Sequence, residues 1–341
     1  INETVRIAEE AGVRVNYAHI KVSGKERWGT LKKAADLINE ARERGIIMTA
    51  DMYPYDRAGG ARIISIDKNI GWSPFRVPED MEPFAEMRKK INDEAISDVE
   101  REKLREQYMD ELAKALADKS KREQIKQAVL FGTPNWQNAI DRSGWDTYVV
   151  VISKKNKDLI GKILSDLAQE QNRDPFDLLA ELVLDEPDMW LAGGVMSDEE
   201  MKQTMKQDWL MFSSDGSAAP IIKETDEPVV GHPRAFGSQA RVLRKYVRED
   251  KTLTLENAVR MMSSLPADFL QIKDRGLLKK GYKADIAIFD PETIQDNSTY
   301  TDARRYSTGI EYVIVNGKIS IENGEYKSAL EGKLLLLTEN K

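Results

Sequence analysis

The feature that most narrows the possible folds is a tandem of helix, glycine and strand near the start of the chain. From Thr4 to Ala11 the pattern is helical, Gly12 stops it, and Val13 to His19 follows as an apolar-alternating strand. The order then repeats. Thr30 to Arg44 carries Leu31, Ala34, Ala35, Ile38 and Ala41 at helical spacing, Gly45 follows as a C-cap, and Ile46 to Tyr53 reads as a short buried strand running into Tyr-Pro-Tyr. Strands separated by helices of this length pair in parallel, so the opening predicts parallel α/β structure.

The chain has 341 residues, more than the roughly 250 to 300 at which one hydrophobic core stops growing, so a second core is expected. Between about Glu79 and Gln127 the sequence is free of glycine, heavily charged and helical. Such a stretch is too polar for the core of an α/β domain and predicts an inserted subdomain or lid. Thr147 to Ile152 is a strand candidate, with Val149 to Val151 typical of burial on both faces. Lys157 to Gln171 and Pro175 to Leu184 predict a helical hairpin, the second helix capped by Asp174 with Pro175 at its first position. Asp208 to Ser214 is a short strand ending at Asp215-Gly216, and a loop containing Gly-His-Pro-Arg leads to helices over Ser238 to Arg248 and Thr254 to Ser263. After Asp274 short β-branched runs take over, and Asn316-Gly317 between two of them is a hairpin signal.

Composition removes several function classes. Net charge is -7 from intermixed acids and bases, with no basic stripe to hold a phosphate backbone, so nucleic acid is not an expected partner. No apolar run approaches the roughly 18 residues of a membrane helix. With no cysteine there is neither a disulfide framework nor a thiolate metal ligand, which fits a reducing, cytoplasmic setting.

The candidate chemistry rests on few residues. His19, one of two histidines, sits at the end of a strand, where a metal ligand or a structural histidine would be placed, and Lys21 lies two residues on. Asp215, after an apolar strand and before Gly216, is placed either as a general base beside a metal-bound water or as a turn cap. Tyr53 and Tyr55 flank Pro54, where a phenol could donate to a substrate oxygen or simply pack. The planar fork of Arg234 suits a carboxylate, with a surface role as the alternative. His232, before a proline, reads as a ligand or as the residue that orients its turn. There is no HxH, HExxH, GxGxxG, P-loop or GxSxG motif.

Six segments, in order, carry a resemblance: AHIKVSGKERWG, TADMYPYDRAGG, SSDG, GHPRAFGSQARVLRKYVRE, SSLPADFLQIKDRGLLKKGYKADIAIFDPETI and GIEYVIVNG. Together they resemble the D-aminoacylase, or N-acyl-D-amino-acid deacylase, family of the amidohydrolase superfamily, from about His19 to the C-terminus. The resemblance implies the C-terminal part of a TIM-like (β/α)8 barrel over residues 1–272, with its helical insertion near 79–127. It also implies a β-rich segment over 273–341 belonging to a small β-sandwich. It implies zinc, with His19 as the metal ligand of the sixth barrel strand and Asp215 as the catalytic and metal-binding aspartate of the eighth. Lys21, Tyr53 and Arg234 are implied to hold the substrate, an N-acyl-D-amino acid cleaved to a carboxylate and a D-amino acid.

The family's HxH on the first strand, its metal-binding Cys on the second and its His on the fifth have no counterpart here. The chain is therefore expected to be an incomplete piece or one subunit of a split enzyme, inactive alone and associating with a complementary N-terminal fragment or with itself. Where family members often carry Ser or Thr after Tyr-Pro-Tyr, Asp56-Arg57-Ala58-Gly59-Gly60 stands here. A dihydroorotase-like or hydantoinase-like enzyme acting on cyclic amides, and a non-catalytic module of the same fold, are the competing readings.

Overall fold

The structure, a computed structural model, describes residues 1–66, 73–133, 140–193, 196–217, 231–327 and 330–335. Among them the strands are β1 (Val15–Tyr17), β2 (Met48–Met52), β3 (Ala61–Arg62), β4 (Val149–Ile152), β5 (Trp190–Ala192), β6 (Leu210–Phe212), β7 (Ile286–Phe289), β8 (Ile310–Val315), β9 (Lys318–Glu322) and β10 (Glu325–Tyr326).

The opening tandem forms as its spacing dictates. Helix Asn2–Ala11 ends at Gly12, whose left-handed φ of 65° returns its N–H to Ala8. Helix Leu31–Glu43 buries Leu31, Ala35, Ile38 and Ala41, the apolar stripe read from the sequence. β1 pairs in parallel with β2, Val15 opposite Met48, and β2 in parallel with β6, Asp51 opposite Met211. This three-stranded sheet and its helices form a core that includes Ile38, Met48, Trp209, Leu210 and Tyr246.

β1 stops at Tyr17, earlier than expected, and His19 lies in a turn beyond it with φ 40°. Alternation along a strand therefore does not relate His19 to Lys21. The His19 residue is exposed and Lys21 half-buried.

The insertion is larger than its charged helices suggested. Helices Phe84–Ile91, Asp98–Ala117 and Lys119–Phe131 pack with an antiparallel sheet of order β3, β5, β4 around a separate core. That core runs from Ile63 to Leu191 and takes Tyr108, Leu112, Ala115 and Leu116 from one side of the longest helix. The same helix is capped by Ser97, and the next by Asp118. The excursion starts and ends side by side: Ala58 N–H donates to the Gly193 carbonyl at 3.0 Å, and Met196 N–H to that of Asp56 at 2.7 Å.

The expected helix over Lys157 to Gln171 is only partly present. Lys157–Leu159 is a single 3₁₀ turn, and the α-helix spans Leu164–Glu170. Gly161, at φ 85°, donates to the Val150 carbonyl while Val150 donates to that of Lys162, so the segment serves β4 instead of a helix. Asp174 does cap the next helix, its carboxylate accepting from Phe176 N–H at 2.8 Å.

The helix expected from Ser238 begins earlier, at Arg234, and continues as a π-helical stretch over Val242–Glu249. Thr254 caps helix Leu255–Met262 by accepting from Asn257 N–H at 3.2 Å. The C-terminal strands form an antiparallel sheet of order β10, β9, β8, β7. Asn316 and Gly317, at φ 51° and 82°, make the two-residue turn between β8 and β9. Among the described residues no helix is long and apolar enough to cross a membrane.

Leu112 has no exposed surface within the second core. Leu112→Ala leaves a cavity there and is expected to cost about 2–5 kcal/mol, read as a lowered denaturation midpoint; an unchanged midpoint would show that this core does not carry the stability of the inserted unit.

Candidate functional site

The C-terminal ends of β1, β2 and β6 converge on one carboxylate. Asp51, near the end of β2, accepts from the Asn16 side-chain amide of β1 at 2.6 Å, from the His19 N–H at 3.0 Å and from the Ser213 hydroxyl after β6 at 2.7 Å. Asn16 in turn accepts from Thr49 at 2.9 Å, which fixes the amide so that its NH₂ faces Asp51. A half-buried carboxylate with three donors holds the three strand ends in register and sets the backbone that carries His19.

His19 and Asp215, the two residues singled out as metal donors, share a backbone property. Their φ values are 40° and 47°, in the left-handed region that L-residues enter at a cost of roughly 1–2 kcal/mol. Asn316 takes the same conformation in its hairpin turn, so here too it marks a chain reversal, one after β1 and one after β6. Asp215 is followed by Gly216, and a Cβ there would lie 2.9 Å from the Ala235 Cα. The missing side chain lets helix Arg234–Arg241 rest directly on the turn.

That close approach brings four of the singled-out residues together. Arg234 donates to Asp215 Oδ2 at 2.6 Å, and its guanidinium lies over the Tyr53 ring, 5.2 Å from the centroid. Lys21 donates to the Tyr53 hydroxyl at 2.9 Å. Burial pushes the Tyr53 phenol up to about 12, with Arg234 opposing the shift, so the phenol keeps its proton near neutrality and can donate it. Burial lowers Lys21 from the ordinary lysine value, partly offset by Asp215. Among the described residues no hydrogen bond links His19 to this cluster; Asp51, which accepts from its N–H, acts on Lys21 only through its charge.

His232 orients its turn. Its Nδ1 accepts from the Arg234 N–H at 3.2 Å, which leaves the proton on Nε2 to donate to the Arg57 carbonyl at 3.0 Å. Tyr53, Tyr55 and Tyr300 meet the ring edge-on at centroid distances of 5.8, 5.3 and 5.1 Å. Burial, with Arg234, Lys21 and Arg241 nearby, pushes the imidazole down to about 4. Behind it Arg241 donates to the Pro54 carbonyl at 2.7 Å and stacks on Tyr55, while the buried Asp296 carboxylate binds both Arg241 and Arg244. Most of the Pro- and acid-rich loop before His232 falls on residues 218–230, outside the described residues.

Asp51 and Asp296 escaped the sequence reading because their partners lie far away along the chain. The one local cue for Asp51 was its position within Thr-Ala-Asp-Met at a strand end. As for metal binding, no group of three or more His, Cys, Asp or Glu side chains that could hold an ion occurs among the described residues. His19 and Asp215 offer two donors where a zinc site takes at least three.

Two outcomes follow. Between pH 6.5 and 4 the unfolded state takes up a proton that folded His232 refuses, so its contribution to stability is full above pH 6.5 and lost as pH falls toward 4, by up to about 3 kcal/mol. His232→Gln should therefore narrow the stability gap to the parent protein as pH drops; an equal gap at pH 7 and 4.5 would refute the buried neutral ring. His19→Gly relieves the left-handed strain and removes an exposed side chain, so its Tm should stay level or rise; a lowered Tm would show that the His19 ring itself stabilises the turn.

The amidohydrolase family matches residues 180–321. The chain is 40% identical over 122 residues to N-acyl-D-glutamate deacylase of Alcaligenes xylosoxydans xylosoxydans, covering 36% of this chain and 23% of that protein. It is 41% identical over 98 residues to N-acyl-D-aspartate deacylase of the same organism, 29% of this chain and 20% of that one. A solved D-aminoacylase superposes with a TM-score of 0.60 at 22% identity, covering 97% of this chain and 51% of its own length. The chain thus spans about half the length of that solved structure, and its aligned part under a quarter of these two curated relatives. That fold extends over nearly all of its residues, and the family match runs through β6, Asp215 and the Arg234 helix, so the chain is similar to the amidohydrolase family in this part and to the N-acyl-D-amino-acid deacylases over the aligned segments.

Proposed function

We propose that this chain supplies the substrate-holding side of a zinc-dependent site that hydrolyses N-acyl-D-amino acids to a carboxylate and a D-amino acid. The observation that carries the reading is the cluster of Lys21, Tyr53, Arg234 and Asp215: one carboxylate set beside three groups suited to hold another. The kinship to N-acyl-D-glutamate and N-acyl-D-aspartate deacylases supports it. On this reading β1, β2 and β6 are the sixth to eighth strands of a (β/α)8 barrel over residues 1–272. Residues 273–341 are part of a β-sandwich, and the protein works in the cytoplasm.

Arg234 binds the substrate α-carboxylate with the guanidinium edge not turned to Asp215, helped by Lys21 and the Tyr53 hydroxyl. With the α-carboxylate and the amide both fixed, hydrogen and side chain on the α-carbon exchange places between the enantiomers, so chirality is read by where the side chain must then point. Asp215 takes a proton from the attacking water as oxygen bonds to the carbonyl carbon. It returns that proton to nitrogen as the C–N bond breaks and its electron pair leaves with the amine.

Zinc at such a site acidifies a water and polarises a carbonyl. His19 and Asp215 are too few to hold it, so donors from beyond the described residues, in a complementary N-terminal fragment or another copy, complete the site.

The test is turnover by the protein as isolated from its own cells, supplemented with zinc, on N-acetyl-D-amino acids, their L-enantiomers, and cyclic amides such as dihydroorotate. Asp215→Asn is expected to lower kcat/KM about 10²–10⁴-fold, and Arg234→Lys chiefly to raise KM. Turnover of cyclic amides alone would move the assignment to a dihydroorotase-like enzyme; no turnover of any of them would leave a non-catalytic module.

A further inference from the structure

The loop from β2 into β3 is held at three points around Gly59. The Arg57 carbonyl accepts from His232 at 3.0 Å, and Ala58 N–H donates to the Gly193 carbonyl at 3.0 Å. Gly60 lies so near the inserted sheet that a Cβ there would stand 3.3 Å from Val151 Cγ2 and 3.4 Å from the Leu191 carbonyl oxygen. The backbone has little slack at Gly59.

What lies against Gly59 is the Arg234 side chain. A Cβ on Gly59 would stand 3.3 Å from Nη2 and 3.6 Å from both Cζ and Nη1. Equal distances to Cζ and Nη1 mean an approach over the flat face of the guanidinium, since a group meeting its N–H edge would lie well nearer the nitrogens than the carbon. The φ of Gly59 lies outside the left-handed region, so alanine would bring no backbone strain of its own. The backbone does not require glycine here; the space taken by the guanidinium does. An added methyl at 3.3 Å forces its neighbour to give by a few tenths of an ångström, and the free end of a long side chain gives more readily than a pinned loop. The same guanidinium donates to Asp215 at 2.6 Å and lies over the Tyr53 ring, so both contacts feel the shift.

We infer that Gly59 is a positioning residue for Arg234. Its bare backbone seats the face of the guanidinium so that the N–H groups reach Asp215 and, on the function proposed above, the α-carboxylate of the substrate. The inserted unit holds that seat through Val151 and the Gly193 carbonyl, so substrate affinity depends on a contact maintained from the side of the insertion.

The experiment is a double-mutant cycle on kcat and KM in the zinc-supplemented native protein, using the N-acetyl-D-amino acid that the parent protein hydrolyses best. Gly59→Ala should raise KM about three- to tenfold, as when a charge-assisted hydrogen bond is weakened and not lost, with kcat changed about twofold or less and Tm level. In an Arg234→Lys background the ammonium offers no flat face to the new methyl, and Gly59→Ala should have little further effect. A parental KM in Gly59→Ala, an equal rise of KM in both backgrounds, or a lowered Tm showing that the loop yields in place of the guanidinium would each overturn the inference and leave the deacylase reading standing. If the parent protein hydrolyses no N-acetyl-D-amino acid, the deacylase reading falls and takes the inference with it.

Discussion

The Asp51 carboxylate is the interaction on which the site depends. Parallel strands joined by helices have no hairpin to fix their ends, so something must set where each chain leaves the sheet. Here one side chain accepts from β1, from the turn that carries His19, and from the segment between β6 and Asp215. Without these bonds His19 would be free to leave its left-handed conformation, and Ser213, two residues before Asp215, would lose its anchor. A carboxylate that lies outside the proposed chemistry thus governs the geometry of the residues inside it.

The second dependence runs through Arg234. The sequence assigned Asp215 to proton transfer and Arg234 to carboxylate binding as separate roles, whereas the structure joins them at 2.6 Å and stacks the arginine on Tyr53. The arginine is therefore oriented before any ligand arrives, which lowers the entropy lost on binding. His232 completes the arrangement by fixing the first backbone N–H of the helix that carries Arg234.

What could be read from the sequence was local. Gly12 after a helix, Asp174 before Pro175, Thr254 as a cap and Asn316-Gly317 as a turn each act within a few residues, and each appears as expected. The antiparallel sheet that organises the insertion could not be read this way. It pairs Ala61 with Leu191, and in short strands such pairing leaves no periodic trace. Likewise Gly161 redirected a segment whose apolar spacing looked helical, because its tie to β4 outweighs weak helix propensity. At the site, the residue types and their chain order were legible through the family resemblance, while the Asp51 hub and the Arg234 and Asp215 pairing required the fold.

The two backbone hydrogen bonds that clasp Ala58 to Gly193 and Asp56 to Met196 carry a consequence for how this architecture can change over time. Chain that departs and returns at one point places little demand on its own length, since closure entropy grows only with the logarithm of the loop. The clasp makes the excursion a socket: bodies of different size can be exchanged within it while the strands that precede His19, Tyr53 and Asp215 keep their alignment. Such exchange would alter the inserted body without redesigning the cluster of Lys21, Tyr53, Arg234 and Asp215.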